Sequence, residues 1–255
     1  MDIINAIILG VVEGATEFLP VSSTGHLIVV SKWLGIKQED VHIAFQIIIQ
    51  FAAILAVFAT YTSKFTPRHI GLWTKVLIAF LPLAIVGFIF KDEIKALFLS
   101  TYVVPVMFII GGIVFLVVEA FHHDERENTH DLEDISYRQA AWIGLAQVLA
   151  LVPGTSRAGA TIIGAMLTGI DRKTSAEFSF LLALPVLGAT GAYELLTNFD
   201  AFSGANWLVL GVGSLTSFIV AWLTMKLFIS FLEKFTFVAF GIYRILFGLL
   251  LLWMI

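Results

Sequence analysis

Two short polar stretches lie within strongly apolar sequence, and they contain most of the residues that could do chemistry. The first is EGATEFLPVSSTGHL at 13–27 and the second is PGTSRAGATI at 153–162. Together they hold two carboxylates, a run of hydroxyls, one imidazole and one guanidinium. Polar groups within apolar sequence are costly without a task, so this grouping indicates a functional site.

The two carboxylates of the first stretch are four residues apart. Helical spacing places Glu13 and Glu17 on one face, with Cβ atoms about 6 Å apart. Two such charges in a medium of low dielectric constant share a proton, bind a divalent cation or pair with a base. The alternative is a structural pair whose charges are satisfied by buried hydroxyls.

The residues that follow the carboxylates predict an anion site. Pro20 ends the first helix, and residues 22–24 then offer three hydroxyls before the flexible Gly25. Such a turn exposes backbone N–H groups and the positive end of the next helix. His26 lies beside it, and an imidazole can relay protons near neutral pH.

The second stretch repeats this arrangement and adds a cation. Arg157 has no acidic residue within ten positions, and its planar guanidinium can bind phosphate oxygens through two hydrogen bonds. Thr155 and Ser156 add hydroxyls, and Gly154 and Gly159 allow the backbone to approach a ligand closely. The alternative is that Arg157 neutralises the carboxylate pair of the first stretch, and the two roles can alternate.

The composition defines the elements that must position these residues. Of 255 residues, 59% are hydrophobic and 13% are charged, with a mean hydropathy of +0.95. Several apolar runs reach about 20 residues, the length that a helix needs to cross a bilayer, and they lack the alternation of barrel strands. The chain is therefore predicted to be an all-α, polytopic integral membrane protein. Its net charge of −4 and scattered basic residues do not favour a nucleic-acid partner.

Each polar stretch interrupts a pair of apolar segments that are too short to span a membrane. This pattern predicts two re-entrant helix hairpins, because broken helices at membrane depth must be surrounded by protein or a watery cavity. Six full transmembrane helices are expected at about 42–61, 69–90, 101–121, 177–197, 206–230 and 235–255.

The order of these segments suggests an internal repeat within a single membrane domain at 1–255. The polar loop 122–138 separates half-repeats at about 1–125 and 135–255. A shift of 133 residues aligns the two Pro turns, whereas a shift of 134 aligns Glu13 with Gln147. Each half has an odd number of full spans, so the second half is predicted to be inverted.

The loop charges predict the orientation. The side that includes 62–68 and 122–138 carries the larger share of basic residues and is therefore expected to be cytoplasmic, with both termini outside. The first segment lacks a signal-peptide pattern, and with no Cys there is no disulfide framework. The sequence does not fix the oligomeric state, and a homodimer is compatible with it.

Several other polar residues fall in or near the spans. Gln50 and Glu194 either line a cavity or are satisfied between helices. Arg244 is expected to pair with Glu194 or Glu233, and Glu119, like Glu233 and Lys226, is expected to extend towards the membrane surface.

The two stretches together resemble the paired signature of the bacterial undecaprenyl-diphosphatases, also called the bacitracin-resistance family. The resemblance extends to YRQA at 137–140, EFSFL at 177–181 and IYR at 242–244. Val152 stands where family members often carry Trp. The resemblance implies functional roles for Glu13, Glu17, Ser22, Ser23, Thr24, His26, Ser156 and Arg157.

This resemblance implies hydrolysis of undecaprenyl diphosphate to undecaprenyl phosphate at the outer face of the bacterial cytoplasmic membrane. A lipid diphosphate carries more negative charge than one arginine can balance, so a divalent cation, Mg²⁺ or Ca²⁺, is expected on Glu13 and Glu17. Either Ser23 attacks phosphorus while His26 or Glu17 takes its proton, or water activated by that pair attacks directly. Arg157 and the backbone N–H groups of both turns would stabilise the phosphoryl charge.

A transporter is the rival hypothesis. Inverted repeats with broken helices equally suit alternating access to a polyprenyl phosphate or another anion. A carrier does not need paired carboxylates beside hydroxyls and an imidazole, so the grouping favours hydrolysis.

Overall fold

The structure is a computed structural model that describes residues 1–37, 40–98, 100–122, 129–197 and 205–254. Within these residues the chain forms α-helices and no strand, with one isolated bridge between Thr129 and Ile170. The all-α prediction is confirmed. The helices are α1 (Ile3–Thr16), α2 (Ser23–Trp33), α3 (Asp40–Thr60), α4 (Ile70–Ile89), α5 (Lys91–Phe98), α6 (Val103–Phe121), α7 (Tyr137–Gln147), α8 (Arg157–Met166), α9 (Arg172–Thr197), α10 (Ala205–Leu232) and α11 (Val238–Trp253).

Five helices of the described part are long and apolar enough to cross a membrane, and they correspond to five of the six predicted spans. The chain is a multi-pass membrane protein. The sixth predicted span, 235–255, contains only the 16-residue helix Val238–Trp253. At 1.5 Å per residue this helix is about 24 Å long, shorter than the roughly 30 Å hydrocarbon core.

The two pairs of short helices are confirmed as helices. α1 and α2 flank the first polar stretch, and α7 and α8 flank the second, where a 3₁₀ turn at Val148–Leu151 extends α7. Their re-entrant course and the inverted repeat stay predictions. The short amphipathic helix α5 was not predicted, because its polar sequence KDEIKALF lies between the predicted spans 69–90 and 101–121 and was assigned to the connecting loop.

One compact unit consists of Met1–Leu19, Ser23–Ser63 and Ala183–Leu227. Its core joins α1, α2, α3 and α10 through apolar side chains that include Leu9, Phe45 and Ile49. α1 touches α10 backbone to backbone, since a Cβ on Gly14 would lie 2.5 Å from the carbonyl oxygen of Ser217. This close contact fixes the helix that carries both carboxylates.

The other compact unit consists of Pro20–Ser22, Lys64–Leu182 and Phe228–Ile255. Here α6 and α11 pack closely, since a Cβ on Gly112 would lie 2.6 Å from the carbonyl oxygen of Gly241. α7 packs against α4 and α8. Both units draw segments from the two sequence halves, so neither unit is a half-repeat.

Glu119 does not extend towards the surface as predicted. It is buried at the end of α6, where it accepts hydrogen bonds from Arg172 Nη2 at 2.6 Å and from the backbone N–H of Phe237 at 2.7 Å. Its carboxylate thus holds the starts of α9 and α11. A buried charge needs such partners, and this one finds a guanidinium and a helix N-terminus.

Candidate active site

The two carboxylates of the first polar stretch lie at the end of α1. Glu13 is fully buried and Glu17 is 6% exposed, and the backbone N–H of Glu17 donates to the carbonyl of Glu13 at 2.9 Å. The helix therefore continues through one full turn between them, as the spacing predicted. Because both carboxylates are buried, they do not lie on a solvated surface.

Glu17 is the centre of a short polar network. Its Oε2 atom accepts a hydrogen bond from Ser23 Oγ at 2.6 Å and another from Gln50 Nε2 at 3.0 Å. An O–H···O distance of this length is typical of a hydroxyl bonded to a carboxylate. Glu17 is thus placed to take the proton of Ser23, which is the first residue of α2.

The remaining residues of this stretch surround the start of α2. Ser22, Gly25 and His26 are buried, whereas Thr24 is partly exposed. Ser22 has φ 66°, a left-handed backbone conformation that is uncommon for a residue with a side chain. Such conformations persist where the surrounding structure enforces them, and they concentrate at functional sites.

The second polar stretch forms a turn of the same kind. Gly154 and Ser156 have φ values of 91° and 74°, and Ser156 Oγ caps α8 by accepting the Gly159 N–H at 3.1 Å. Arg157 is the first residue of α8 and donates to the carbonyl oxygen of Ser179 at 2.9 Å and to its Oγ at 3.3 Å. These two hydrogen bonds hold the Arg157 guanidinium against α9.

Arg244 joins the two turns. Its side chain is fully buried in α11, and its guanidinium donates to the carbonyl oxygens of Pro20 at 2.9 Å, Met107 at 3.0 Å and Gly154 at 3.0 Å. Pro20 and Gly154 each stand two residues before a serine with positive φ. One buried cation thus fixes the backbone on which both serines depend.

The predicted pairing of Arg244 with Glu194 or Glu233 is wrong for Glu233. That carboxylate pairs with Lys173 at 3.2 Å, while every hydrogen bond described for the Arg244 guanidinium ends on a backbone carbonyl. The side chain of Glu194 lies outside the described residues. Carbonyl oxygens exposed by irregular turns leave no signal in a sequence, which explains why these partners were missed.

The backbone conformation also shows which residues of the two turns correspond to each other. Adding 134 to a residue number carries Ser22 to Ser156, both with positive φ, and Ser23 to Arg157, each the first residue of its helix. The same shift carries Glu13 to Gln147. The alignment of the two Pro residues at a shift of 133 is therefore off by one residue.

Two further residues belong to this region, and neither had a definite role predicted from the sequence. Gln50 donates to Glu17, so its amide is satisfied by a side chain of another segment. Ser179 accepts from Arg157 and also from Thr161 Oγ1 at 2.7 Å. Ser179 lies in the EFSFL segment of the resemblance, and a buried serine in an apolar helix was the signal that could have singled it out.

The first stretch offers ligands suited to a hard cation. Carboxylate and hydroxyl oxygens are what Mg²⁺ and Ca²⁺ prefer, and Glu13, Glu17 and Ser23 provide them in a buried setting. No cluster of three or more His, Asp or Glu side chains able to hold a metal occurs in the described part of the chain. A cation here would thus take two protein carboxylates and complete its shell with substrate oxygens and water, as Mg²⁺ commonly does.

Comparison with known proteins identifies the family. The model of the family described as bacitracin resistance protein BacA matches residues 6–250. The chain is 60% identical to undecaprenyl-diphosphatase 2 of Pseudoalteromonas translucida over 252 residues, covering 99% of this chain and 98% of that protein. It is 59% identical to the undecaprenyl-diphosphatase of Sulfurovum sp. and 60% identical to that of Sulfurimonas denitrificans, with coverage of at least 98% on both sides. The chain belongs to the bacitracin resistance protein BacA family.

Proposed function

We propose that this protein hydrolyses undecaprenyl diphosphate to undecaprenyl phosphate and inorganic phosphate, recycling the lipid carrier of cell-wall synthesis and conferring bacitracin resistance. The observation that carries the proposal is the 2.6 Å hydrogen bond from Ser23 Oγ to Glu17. This bond joins a hydroxyl to a buried carboxylate, the pair of groups that a nucleophile and its base require, within a chain whose relatives are named undecaprenyl-diphosphatases. The transporter hypothesis has no comparable support.

The first step transfers the terminal phosphoryl group to Ser23. Glu17 takes the proton of Ser23 as Oγ forms a bond to the terminal phosphorus, and the bond from that phosphorus to the bridging oxygen breaks. Undecaprenyl phosphate leaves with the bridging oxygen. Gln50 holds the Glu17 carboxylate in position through its 3.0 Å hydrogen bond.

The second step regenerates the enzyme. His26 takes a proton from water as the water oxygen attacks the phosphoserine, and Glu17 returns a proton to Ser23 Oγ as inorganic phosphate leaves. His26 then releases its proton to solvent. Arg157 and the backbone N–H groups near Ser22, Thr24, Gly25, Thr155 and Ser156 stabilise the negative charge of the phosphoryl oxygens. A Mg²⁺ or Ca²⁺ ion held by Glu13 and Glu17 would supply further positive charge.

We place the protein in the bacterial cytoplasmic membrane with its site open to the outer face. The distribution of basic residues between the two sides supports this orientation. A homodimer remains compatible with the chain.

The test is release of inorganic phosphate from undecaprenyl diphosphate by the purified protein in detergent. Ser23→Ala should lower kcat by more than about 1,000-fold, because the nucleophile is lost. The matched control is Ser31→Ala, which removes a buried serine from the same helix and should leave kcat close to that of the wild type. Detergent abolishes net transport, so phosphate release excludes a pure carrier.

Two results would contradict parts of this proposal. Substantial activity in Ser23→Ala would assign the attack to water activated by Glu17 and His26. Activity that survives exhaustive chelation would show that the reaction does not require a divalent cation. A wild type that binds the lipid but releases no phosphate would overturn the hydrolase altogether.

A further inference from the structure

A deep apolar groove of about 510 Å³ lies between α6, α7 and α8 in the second compact unit. Its floor contains small residues, including Gly111, Gly159 and Gly164, and its rim carries Trp142 and Leu149. These rim side chains are 49% and 60% exposed. The groove is thus open sideways, towards the region that lipid occupies around a membrane protein.

The groove reaches the second polar stretch. Thr155 and Gly159 are part of its lining: Thr155 lies in the turn before α8, and Gly159 lies in the first turn of that helix, where its N–H donates to the Ser156 cap. The Thr155 hydroxyl oxygen is buried and has no hydrogen-bond partner among the described residues. An unsatisfied buried hydroxyl in an otherwise apolar groove indicates a place where a polar ligand group completes the structure.

Apart from Thr155, the lining of the groove is apolar and carries no charged side chain. The groove therefore combines one polar contact beside the second turn with an extended apolar wall. A ligand that matches it is largely hydrocarbon and has its polar group next to Thr155.

We propose that this groove binds the first isoprene units of the polyprenyl chain and holds the diphosphate against the two turns. The inference rests on the proposed function and assigns a location to the chain of its substrate. The groove volume is within the range of sites for small molecules, about 300–1,000 Å³. Only the part of the chain nearest the diphosphate fits, and the rest remains in the bilayer.

A second copy of the protein is a less suitable occupant. A stable protein partner buries about 800 Å² on each side through a broad surface, whereas this feature is a concave groove of about 510 Å³. A contact with a second protein would also not require the groove to extend to Thr155. We therefore assign the groove to the lipid substrate.

The kinetic test uses two substrates, one with a polyprenyl chain and one without any isoprene unit. Ala146→Leu adds bulk to the groove wall, and Ala141→Leu makes the same change on the same helix at a position outside the lining. Ala146→Leu should raise KM about tenfold for undecaprenyl diphosphate and leave KM for inorganic diphosphate unchanged, while Ala141→Leu changes neither. Equal effects of the two variants would overturn the groove assignment.

A labelling experiment keeps the proposal testable if Ala146→Leu fails to fold. A polyprenyl diphosphate with a photoreactive group on its first isoprene unit should label α7 or α8 of the wild-type protein. Undecaprenyl diphosphate should compete with this label, whereas phosphatidylglycerol should not. Labelling elsewhere, or labelling that phosphatidylglycerol abolishes, would overturn the assignment.

The outcomes separate this proposal from the proposed function. Phosphate release together with labelling outside the groove would contradict the groove alone. A wild type that releases no phosphate from either diphosphate would contradict the proposed function.

Discussion

The two turns share a backbone and differ in side chains. In both, a serine with positive φ precedes a short helix, and Arg244 binds a carbonyl two residues before that serine. The first helix begins with Ser23, hydrogen bonded to a carboxylate, and the second begins with Arg157. One backbone design thus carries a serine hydroxyl bonded to a carboxylate in one turn and a guanidinium in the other.

The difference extends to the preceding helices. Glu13 corresponds to Gln147, whose Nε2 donates to the carbonyl of Ala79 at 3.2 Å and so holds α7 against α4. The position thus holds a buried carboxylate before the first turn and an amide that joins two helices before the second. The comparison teaches that the backbone of such turns can be retained while charge is removed from one of them and added to the other.

Among the variants that test this comparison, the largest expected effect comes from the cation of the second turn. Arg157→Ala should lower kcat/KM by about 100- to 1,000-fold, because the transferred phosphoryl oxygens lose a charged donor. Arg157→Lys should recover only part of this loss, since an ammonium cannot reproduce the planar pair of donors. The control is the exposed Arg138→Ala, and phosphate release measures all three. Wild-type kinetics in Arg157→Ala would mean that the second turn has no role in phosphate binding.

The next effect tests whether one residue supports both turns. Arg244→Met leaves three carbonyls without their donor and should lower the free energy of unfolding by about 3 kcal/mol or more. Activity should fall even at temperatures where the protein stays folded, because both turns lose their support. Unfolding in a detergent titration and phosphate release measure these changes.

The control for Arg244 is Lys226→Met. This variant removes an exposed cation that lies over the Trp222 ring, so it should have a much smaller effect on stability. If Arg244→Met is destabilised but retains full kcat while folded, Arg244 supports the helix packing without positioning the turns.

A smaller effect tests whether Gln50 supports Glu17, the proposed base of the first turn. Gln50→Met removes the 3.0 Å hydrogen bond to Glu17 and should lower kcat about tenfold, because one charge-assisted hydrogen bond contributes about 1.5 kcal/mol. Gln46→Met is the matched control one turn earlier in α3, where the amide donates to Ser31 instead. Equal kcat values in the two variants would show that Gln50 does not position the base.

The smallest effect concerns the serine of the second turn. Ser156→Ala removes the cap on the Gly159 N–H and should lower stability by about 1 kcal/mol, whereas Ser156→Gly should lower it by only a few tenths. Thermal unfolding checks both values. Unchanged stability with a raised KM would assign the hydroxyl to the substrate rather than to the helix.

The sequence predicted the helical fold and the two broken helix pairs. Pro, Gly and hydroxyl residues interrupt its apolar runs, and few structures accommodate such interruptions within a membrane. It also predicted the carboxylate pair from its four-residue spacing. Periodicity and local spacing are visible along the chain, so features that depend on them were within reach.

Other features depend on contacts between distant segments. Arg244 and Pro20 are 224 residues apart, and Gln50 and Glu17 are 33 apart. Neither contact leaves a local pattern in the sequence. Every residue has a backbone carbonyl, so residue type does not identify which carbonyl accepts a hydrogen bond. The burial of Glu119 was missed for the same reason, since its partners Arg172 and Phe237 belong to later helices.

The position of Arg244 in the chain has a consequence for biosynthesis. The residue that fixes both turns lies in the last helix, Val238–Trp253, so the nascent chain carries Ser23 and Arg157 long before their backbone is secured. The enzyme is therefore expected to stay silent during synthesis and to become active only when its C-terminal helix has entered the membrane. A chain truncated before Val238 should accumulate in the membrane without activity.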